Sequence, residues 1–261
     1  MSLWEAIVLG VVQGATEFLP VSSSGHLVLI SHAFGWADDS IAFEVAVHGG
    51  TLAAVLMYFR ARLLTLTAAV FTRGHSAETV RESRRLMVFL VVGSIPAAVV
   101  GLALKIQIES AFAAPRLTAA FLIFTGILLL AMHRWSRPRG TLTTARTWWI
   151  GCAQAVAILP GISRSGATIA TGSLLGVPAA KAAEFSFLLS IPAVAGAAML
   201  ELPDAVAAGQ FGLADVVGAV TAGLTGYLAL SLVFAALRRG RFVWFGIYCL
   251  VIGAAAAILL R

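Results

Sequence analysis

The chain has 261 residues, of which 60% are hydrophobic and 11% are charged, against about 25% charged residues in an ordinary globular protein. With a mean hydropathy of +0.95, this composition excludes a soluble domain and predicts a protein that crosses the membrane several times. The net charge of +6 does not indicate a nucleic-acid partner, because the arginines lie in short segments between apolar stretches, as they do in membrane proteins.

The first half of the chain begins with two apolar pieces that are too short to cross a bilayer. Leu3 to Leu19 is predicted as a helix that ends at Pro20, and Gly25 to Gly35 as a second short helix before the polar turn at Asp38 and Asp39. A span needs about 20 apolar residues. The pair is therefore predicted to form a re-entrant hairpin, which is tolerated at membrane depth only where protein or a cavity surrounds it. Two glycines of the first helix, Gly10 and Gly14, allow a close helix neighbour.

The remaining predicted spans of the first half are longer. They are Ile41–Phe59, Leu86–Leu104 and Leu117–His133. An arginine-rich loop over 60–85 separates the first two, and a second basic loop follows over 134–146.

After residue 146 the order of elements repeats. Trp149 to Leu159 is predicted as a short helix broken at Pro160, and Ala167 to Gly176 as a second short piece. The spans predicted after this pair are Ala179–Leu200, Val216–Leu237 and Phe242–Leu260. The loop between the first two of these spans is predicted to be acidic, with Glu201, Asp204 and Asp215.

The distribution of positive charge predicts the topology. Thirteen of the eighteen lysine and arginine residues lie in 60–85, 134–146 and 238–241, and such segments stay on the cytoplasmic side. All three can do so together if there are six spans and two re-entrant hairpins. The sequence therefore predicts an all-α polytopic integral membrane protein, with one membrane domain built of two inverted repeats, 1–133 and 147–261.

Two polar stretches interrupt the apolar helices and share one pattern. They are QGATEFLPVSSSGH at 13–26 and QAVAILPGISRSGAT at 154–168. In both, a glutamine stands nine residues before the first serine of an S-x-S-G run. An ionisable residue inside a membrane costs about 2.5–3.5 kcal/mol on insertion scales, so Glu17 in the first stretch indicates a function. The rest of the chain is interpreted as a scaffold that brings the two stretches together.

Gln13 and Glu17 are four residues apart and share one face of a helix. Oxygen ligands suit Mg²⁺ or Ca²⁺, so this pair is a candidate site for a divalent cation. The alternative is that both side chains only form hydrogen bonds with a neighbouring helix.

The serine runs indicate an anion site. Each follows a proline and begins a helical piece, where free N–H groups and the positive end of the helix dipole attract phosphate. The residues of the two runs are Ser22, Ser23, Ser24 and Gly25, and Ser163, Arg164, Ser165 and Gly166. For the serines, the alternative is a purely structural role as N-caps.

Two further side chains point to phosphate chemistry. The guanidinium of Arg164 is a planar fork that matches phosphate oxygens, although an ion pair with Glu17 is an alternative. His26 directly follows a serine-glycine turn and is a candidate general acid or base, the alternative being a buried structural histidine. Together these groups describe a site for a phosphate on a lipid.

At these residues the chain resembles the bacterial undecaprenyl-diphosphate phosphatases, the bacitracin-resistance family. The resemblance covers the whole length and three motifs. The Glu/Gln-x-x-x-Glu motif is matched by Gln13 and Glu17. The Ser-Ser-x-Gly-His motif is matched by Ser22, Ser23, Gly25 and His26. The Pro-Gly-x-Ser-Arg-Ser-x-x-Thr motif is matched by Pro160, Gly161, Ser163, Arg164, Ser165 and Thr168. Thr168 is accordingly also predicted to bind the phosphate.

The resemblance implies a multi-pass enzyme of the bacterial cytoplasmic membrane that hydrolyses undecaprenyl diphosphate to the monophosphate. That step recycles the lipid carrier for peptidoglycan, is associated with bacitracin resistance and needs a divalent cation. The resemblance also implies that the site opens to the outer, periplasmic side. One departure is Gln13, where many relatives carry glutamate, so that Glu17 or the diphosphate must supply more of the oxygen ligands.

The mechanism expected on this basis uses Ser23 as the nucleophile and His26 as the group that activates it or protonates the leaving oxygen. Direct attack by an activated water is the alternative. A secondary transporter or lipid flippase is the rival function, since inverted repeats with broken helices are common in transporters. Whether the protein is a homodimer, which cation it prefers and which prenyl chain lengths it accepts are left open by the sequence.

Overall fold

The computed structural model describes residues 1–36, 41–71, 76–207 and 211–260. The predicted turn at Asp38 and Asp39 and the basic residue Arg73 lie outside the described residues. Twelve helices make up the described part of the chain, which contains no strand. They are α1 Leu3–Phe18, α2 Ser23–Phe34, α3 Ile41–Tyr58, α4 Arg60–Val70, α5 Ala77–Ala103, α6 Lys105–Phe112, α7 Pro115–Trp135, α8 Thr144–Val156, α9 Arg164–Leu174, α10 Ala179–Ala207, α11 Leu213–Arg238 and α12 Val243–Leu259.

The predicted class of an all-α polytopic membrane protein is confirmed. Among the described residues, α3, α5, α7, α10 and α11 are long and apolar enough to cross a membrane, and α12 is a shorter apolar helix of 17 residues. These six helices correspond to the six predicted spans. The division into repeats 1–133 and 147–261 stays a prediction.

Several segments predicted as loops are helical. Most of the basic segment 60–85 belongs to α4 and to the start of α5, and Glu201 and Asp204 belong to α10. The predictions were wrong here because charged residues end an apolar stretch without ending a helix. Long side chains extend toward the membrane surface while the backbone remains helical.

The two pairs of short helices are confirmed. Helices α1 and α2 have 16 and 12 residues, and α8 and α9 have 13 and 11. The close neighbour predicted for α1 is α11. A Cβ atom built on Gly14 would lie 2.1 Å from Thr225 Oγ1, and one on Gly10 would lie 2.1 Å from Thr221 Oγ1. Only glycine permits this separation of the two helices.

The three basic segments meet at one end of the molecule. Arg85 donates a hydrogen bond of 3.2 Å from Nη2 to the backbone oxygen of Leu142, which joins the first segment to the second. A cavity of about 170 Å³ is lined by His133 and Ser136 on one side and by Gly240 on the other, which joins the second segment to the third. We call this the basic end.

Helices α2 and α9 run from the middle of the molecule to opposite ends. The end of α9 lies at the basic end, because Ser136 Oγ donates to the backbone oxygen of Ser173 at 3.1 Å. The last turn of α2 lies at the other end, where His32 and Arg116 line one cavity. Helix α7 runs from Arg116 to the basic end over about 32 Å. Since α2 and α9 are about 18 and 16 Å long, their first residues lie near mid-depth.

Candidate active site

The starts of α2 and α9 touch each other at mid-depth. A Cβ atom on Gly25 would lie 3.0 Å from the Cα atom of Gly161, so the two polar stretches meet with almost no space between their backbones. The prediction that the two stretches come together is therefore confirmed. Because both helices begin here, their N-terminal N–H groups and positive dipole ends converge on one region.

Each helix start is capped by the first serine of its run. Ser22 Oγ accepts a hydrogen bond from the N–H of Gly25 at 3.2 Å, and Ser163 Oγ accepts one from Gly166 at 3.1 Å. Ser22 adopts φ = 68°, a conformation that non-glycine residues rarely adopt and that is often found at functional sites. Ser22 and Ser163 therefore act as N-caps, which is the structural role that the sequence analysis gave as the alternative to phosphate binding.

The serine two residues after the first lies beside it in each run. Ser24 Oγ is 3.3 Å from Ser22 Oγ, and Ser165 Oγ is 3.2 Å from Ser163 Oγ. Ser165 also donates to the backbone oxygen of Leu19 at 3.1 Å, which ties α9 to the end of α1. The matching geometry in the two runs follows from their shared S-x-S-G sequence.

Glu17 is the centre of the site. Its Oε2 accepts hydrogen bonds from Ser23 Oγ at 2.5 Å and from Gln13 Nε2 at 3.1 Å. Its Oε1 accepts from Arg164 Nη2 in an ion pair, in which the Glu17 side chain is 7% exposed and that of Arg164 is 16% exposed. The structure therefore brings together Gln13, Glu17, Ser23 and Arg164, although Arg164 comes from the other half of the chain.

His26 lies in the same region but bonds to other groups. Its Nδ1 is 2.8 Å from the backbone oxygen of Ser22, and its Nε2 is 2.8 Å from the hydroxyl oxygen of Tyr248. Glu17, rather than His26, therefore accepts the hydrogen bond of Ser23 in this structure. Tyr248 belongs to α12 and is a site residue that the sequence interpretation missed.

Comparison with known proteins assigns the chain to a family. The family description "Bacitracin resistance protein BacA" matches residues 6–255. The chain belongs to the BacA family. Similar proteins include an undecaprenyl-diphosphatase of Desulfosudis oleivorans, 43% identical over 95% of each chain. One from Gemmatimonas aurantiaca is 40% identical over 97% of this chain and 96% of its own, and one from Moorella thermoacetica is 39% identical with the same coverage.

Thr168 closes the BacA-family motif in the sequence, but its hydroxyl bonds to groups other than Glu17. It is fully buried, donates to the backbone oxygen of Arg164 at 2.7 Å and lies 2.6 Å from Ser186 Oγ on α10. In this structure its hydroxyl thus supports the first turn of α9. A direct phosphate contact of Thr168 stays a prediction.

Thr125 is a second residue that the sequence interpretation missed. Its Oγ1 donates to the backbone oxygen of Gly161 at 2.9 Å and accepts from the N–H of Ser163 at 3.1 Å. It thereby holds the loop that carries the second BacA-family motif. The sequence contains little indication of this role, because a threonine in a span more often bonds within its own helix.

The donors near Glu17 fit a hard cation. Gln13 is completely buried, and its Oε1 atom has no hydrogen-bond partner among the described residues. An unpaired buried oxygen beside a carboxylate is the kind of ligand set that Mg²⁺ and Ca²⁺ take. Among the described residues, no cluster of three or more histidine, cysteine or acidic side chains could hold a metal, so Gln13 and Glu17 are the candidate ligands.

Proposed function

We propose that this chain hydrolyses undecaprenyl diphosphate to undecaprenyl phosphate and inorganic phosphate. The observation that carries the proposal is the contact of Ser23 and Arg164 with one buried carboxylate, Glu17, in a chain of the BacA family. The shared name of the relatives, undecaprenyl-diphosphatase, supplies the substrate. The activity recycles the lipid carrier for wall polymers and accounts for the association with bacitracin resistance.

Arg164 can bind phosphate and stay beside Glu17. Its Nη2 is paired with Glu17 in this structure. The guanidinium has five N–H donors in a fork, so it can engage phosphate oxygens while it stays close to the carboxylate. The converging starts of α2 and α9 add positive potential to the same place. This arrangement offsets the charge of the diphosphate inside the membrane.

Ser23 is the proposed nucleophile. Its Oγ would attack the terminal phosphorus, its proton would pass to Glu17 Oε2, and the bond between this phosphorus and the bridging oxygen would break. The bridging oxygen leaves with undecaprenyl phosphate, its charge balanced by Arg164. Water then attacks the phosphoserine, its proton passes to His26, and Glu17 returns its proton to Ser23 Oγ as the bond between the serine oxygen and phosphorus breaks. The alternative route is direct attack by water on the diphosphate, and the test below distinguishes the two routes.

A divalent cation fits beside Gln13 and Glu17 in this proposal. When bound, it would neutralise phosphate charge and orient the diphosphate. Its remaining ligands would be diphosphate oxygens. Because position 13 is a glutamine, the protein itself supplies one charged oxygen ligand, from Glu17, and one neutral oxygen ligand, from Gln13.

We place the opening of the site on the outer side of the cytoplasmic membrane. The basic end satisfies the positive-inside rule if it faces the cytoplasm. Ionisable side chains also lie toward the other end. Glu44 and His48 stand one turn apart near the start of α3, where His48 Nδ1 is 2.9 Å from the backbone oxygen of Glu44, and Lys105 pairs with Glu109 on α6 at 3.7 Å. Charged groups at depth are stable only beside water or partners, which supports an aqueous entrance on this side.

The test is phosphate release by purified protein in detergent, given a long-chain prenyl diphosphate with and without Mg²⁺ or Ca²⁺. Wild-type protein and Arg60→Ala should release phosphate, since Arg60 is exposed at the start of α4, whereas Arg164→Ala should not. A phosphoenzyme trapped by acid quench and lost in Ser23→Ala would support the serine nucleophile. Lipid movement across vesicles without cleavage would instead support the transporter alternative.

A further inference from the structure

The side chain of Tyr248 closely contacts that of His26. The tyrosine oxygen lies 2.8 Å from His26 Nε2, although the two residues are 222 positions apart in the chain. Their rings are stacked, with 5.6 Å between centroids and an angle of 5° between the planes. The imidazole of His26 thus receives both a hydrogen bond and a stacked ring from the same residue. Packing alone would not require the hydrogen bond.

The position of Tyr248 follows from how α12 packs. The neighbouring residue Cys249 is completely buried, and its Sγ lies 3.6 Å from the backbone oxygen of Pro20, two residues before the first serine run. Gly246 and Gly253 bring α12 close to α7, since Cβ atoms there would lie 3.1 Å from Gly126 O and 2.9 Å from Ala119 O. Helix α12 is therefore held against the site. This packing fixes the position of Tyr248 relative to His26.

The two partners of His26 determine where its proton resides. The partner of Nδ1 is a backbone carbonyl of Ser22, which can only accept, so Nδ1 must carry the hydrogen. In neutral imidazole the other nitrogen then has a lone pair. Nε2 is consequently the basic atom, and the hydroxyl of Tyr248 donates to it.

We infer that Tyr248 is a positioning residue that holds His26 with Nε2 as its basic atom. This inference rests on the proposed role of His26 in proton transfer. A hydroxyl is suited to this task because it can donate to neutral Nε2 and accept from Nε2–H once the ring is charged. Tyr248 thus keeps one ring orientation through both protonation states. Without it, the ring could adopt the other tautomer or turn away from Ser22.

The kinetic test uses Tyr248→Phe, which keeps the stacked ring and removes only the hydroxyl. The expected result is a fall in kcat of about 10-fold at nearly unchanged KM, a part of the 10²–10⁴-fold that a general acid or base contributes. In a His26→Ala background, Tyr248→Phe should have no additional effect. Tyr227→Phe is the matched control, because the ring of Tyr227 on α11 makes an edge-on contact with Tyr58 of α3 and loss of its hydroxyl should leave kcat unchanged.

The spectroscopic test is nitrogen-15 NMR of protein labelled at its five histidines, with the His26 signals assigned by their absence in His26→Ala. Wild-type protein should show a protonated Nδ1 and an unprotonated Nε2 for neutral His26, and Tyr248→Phe should change this pattern while Tyr227→Phe should not. An unchanged spectrum and a normal kcat in Tyr248→Phe, with His26→Ala inactive, would overturn the inference alone. Normal turnover in His26→Ala would overturn the proposed role of His26 and the inference with it.

Discussion

Arg164 forms a buried ion pair with Glu17, a residue that precedes it by 147 positions. The two polar stretches are alike in sequence but differ at the two positions that form this pair. Counting from the first glutamine of each stretch, Glu17 corresponds to Ile158 and Ser23 corresponds to Arg164. One copy therefore supplies the carboxylate and the hydroxyl, whereas the other supplies the guanidinium. An asymmetric chemical site arises between two similar backbones.

We expect Arg164→Ala to lower kcat/KM by at least about 100-fold, since it removes the group that offsets phosphate charge. It should also destabilise the protein by about 3–5 kcal/mol, because the carboxylate of Glu17 is left buried without its charged partner. Phosphate release and thermal unfolding in detergent measure the two effects.

A double variant separates these two causes. Glu17→Gln combined with Arg164→Met removes both charges and should regain most of the lost stability, as replacing a whole buried ion pair often does. It should remain inactive. Recovery of activity together with stability would show that the pair serves folding alone.

Ser23→Ala should lower kcat by about 100-fold or more if the serine is the nucleophile. It should change the unfolding temperature little, because Ser23 is half-buried and Glu17 Oε2 keeps its hydrogen bond from Gln13 Nε2. Ser110→Ala on the exposed helix α6 is the matched control, since its hydroxyl bonds only within its own helix in this structure. Near-normal turnover of Ser23→Ala beside an inactive His26→Ala would contradict the covalent route and favour activated water.

Gln13 should control the need for the cation. Chelator should abolish phosphate release, and Mg²⁺ or Ca²⁺ should restore it. Gln13→Ala should raise the cation concentration that gives half-maximal release, whereas Gln13→Glu should lower it by adding a negative oxygen ligand. An unaltered cation dependence in both variants would place the cation away from Gln13.

Gln154, at the corresponding position of the second stretch, is the control for Gln13. Both polar atoms of its side chain are buried and have no hydrogen-bond partner among the described residues. Gln154→Met should therefore leave the cation dependence unchanged and should not lower the unfolding temperature, since an unsatisfied amide is replaced by an apolar side chain of similar size.

Replacement by alanine should have different effects on protein stability at two adjacent glycines of α3. A Cβ atom on Gly50 would lie 2.1 Å from the backbone oxygen of Ala219, so Gly50→Ala must push α3 away from α11 at a cost of about 1–3 kcal/mol. A Cβ atom on Gly49 meets nothing within 4 Å. Gly49→Ala should be neutral or stabilising by up to about 1 kcal/mol, because alanine favours the helix. Equal unfolding temperatures for the two variants would contradict the close packing.

The sequence by itself determined the class of the protein and the identity of its central residues. Long apolar stretches imply membrane helices whatever their neighbours, because backbone groups in lipid must be paired within the helix. A buried carboxylate and arginine in apolar surroundings indicate function for the same energetic reason, and so Glu17 and Arg164 stood out before any contact was known. Pro20 predicted the end of α1 to within one residue, because proline interrupts the backbone hydrogen bonds. The prediction from Pro160 was less accurate, since α8 covers Thr144–Val156 and not Trp149–Leu159.

Only the tertiary structure decided which partner each side chain takes. It placed Ser23 against Glu17 instead of His26, and it brought Tyr248 to His26 from the other end of the chain. Local patterns contain no information about such contacts, because they depend on how α9 and α12 pack against the first hairpin. It also made helices of segments that charge alone had marked as loops. Charge reports where a chain leaves the hydrocarbon, whereas helix formation depends on backbone hydrogen bonds that continue past that boundary.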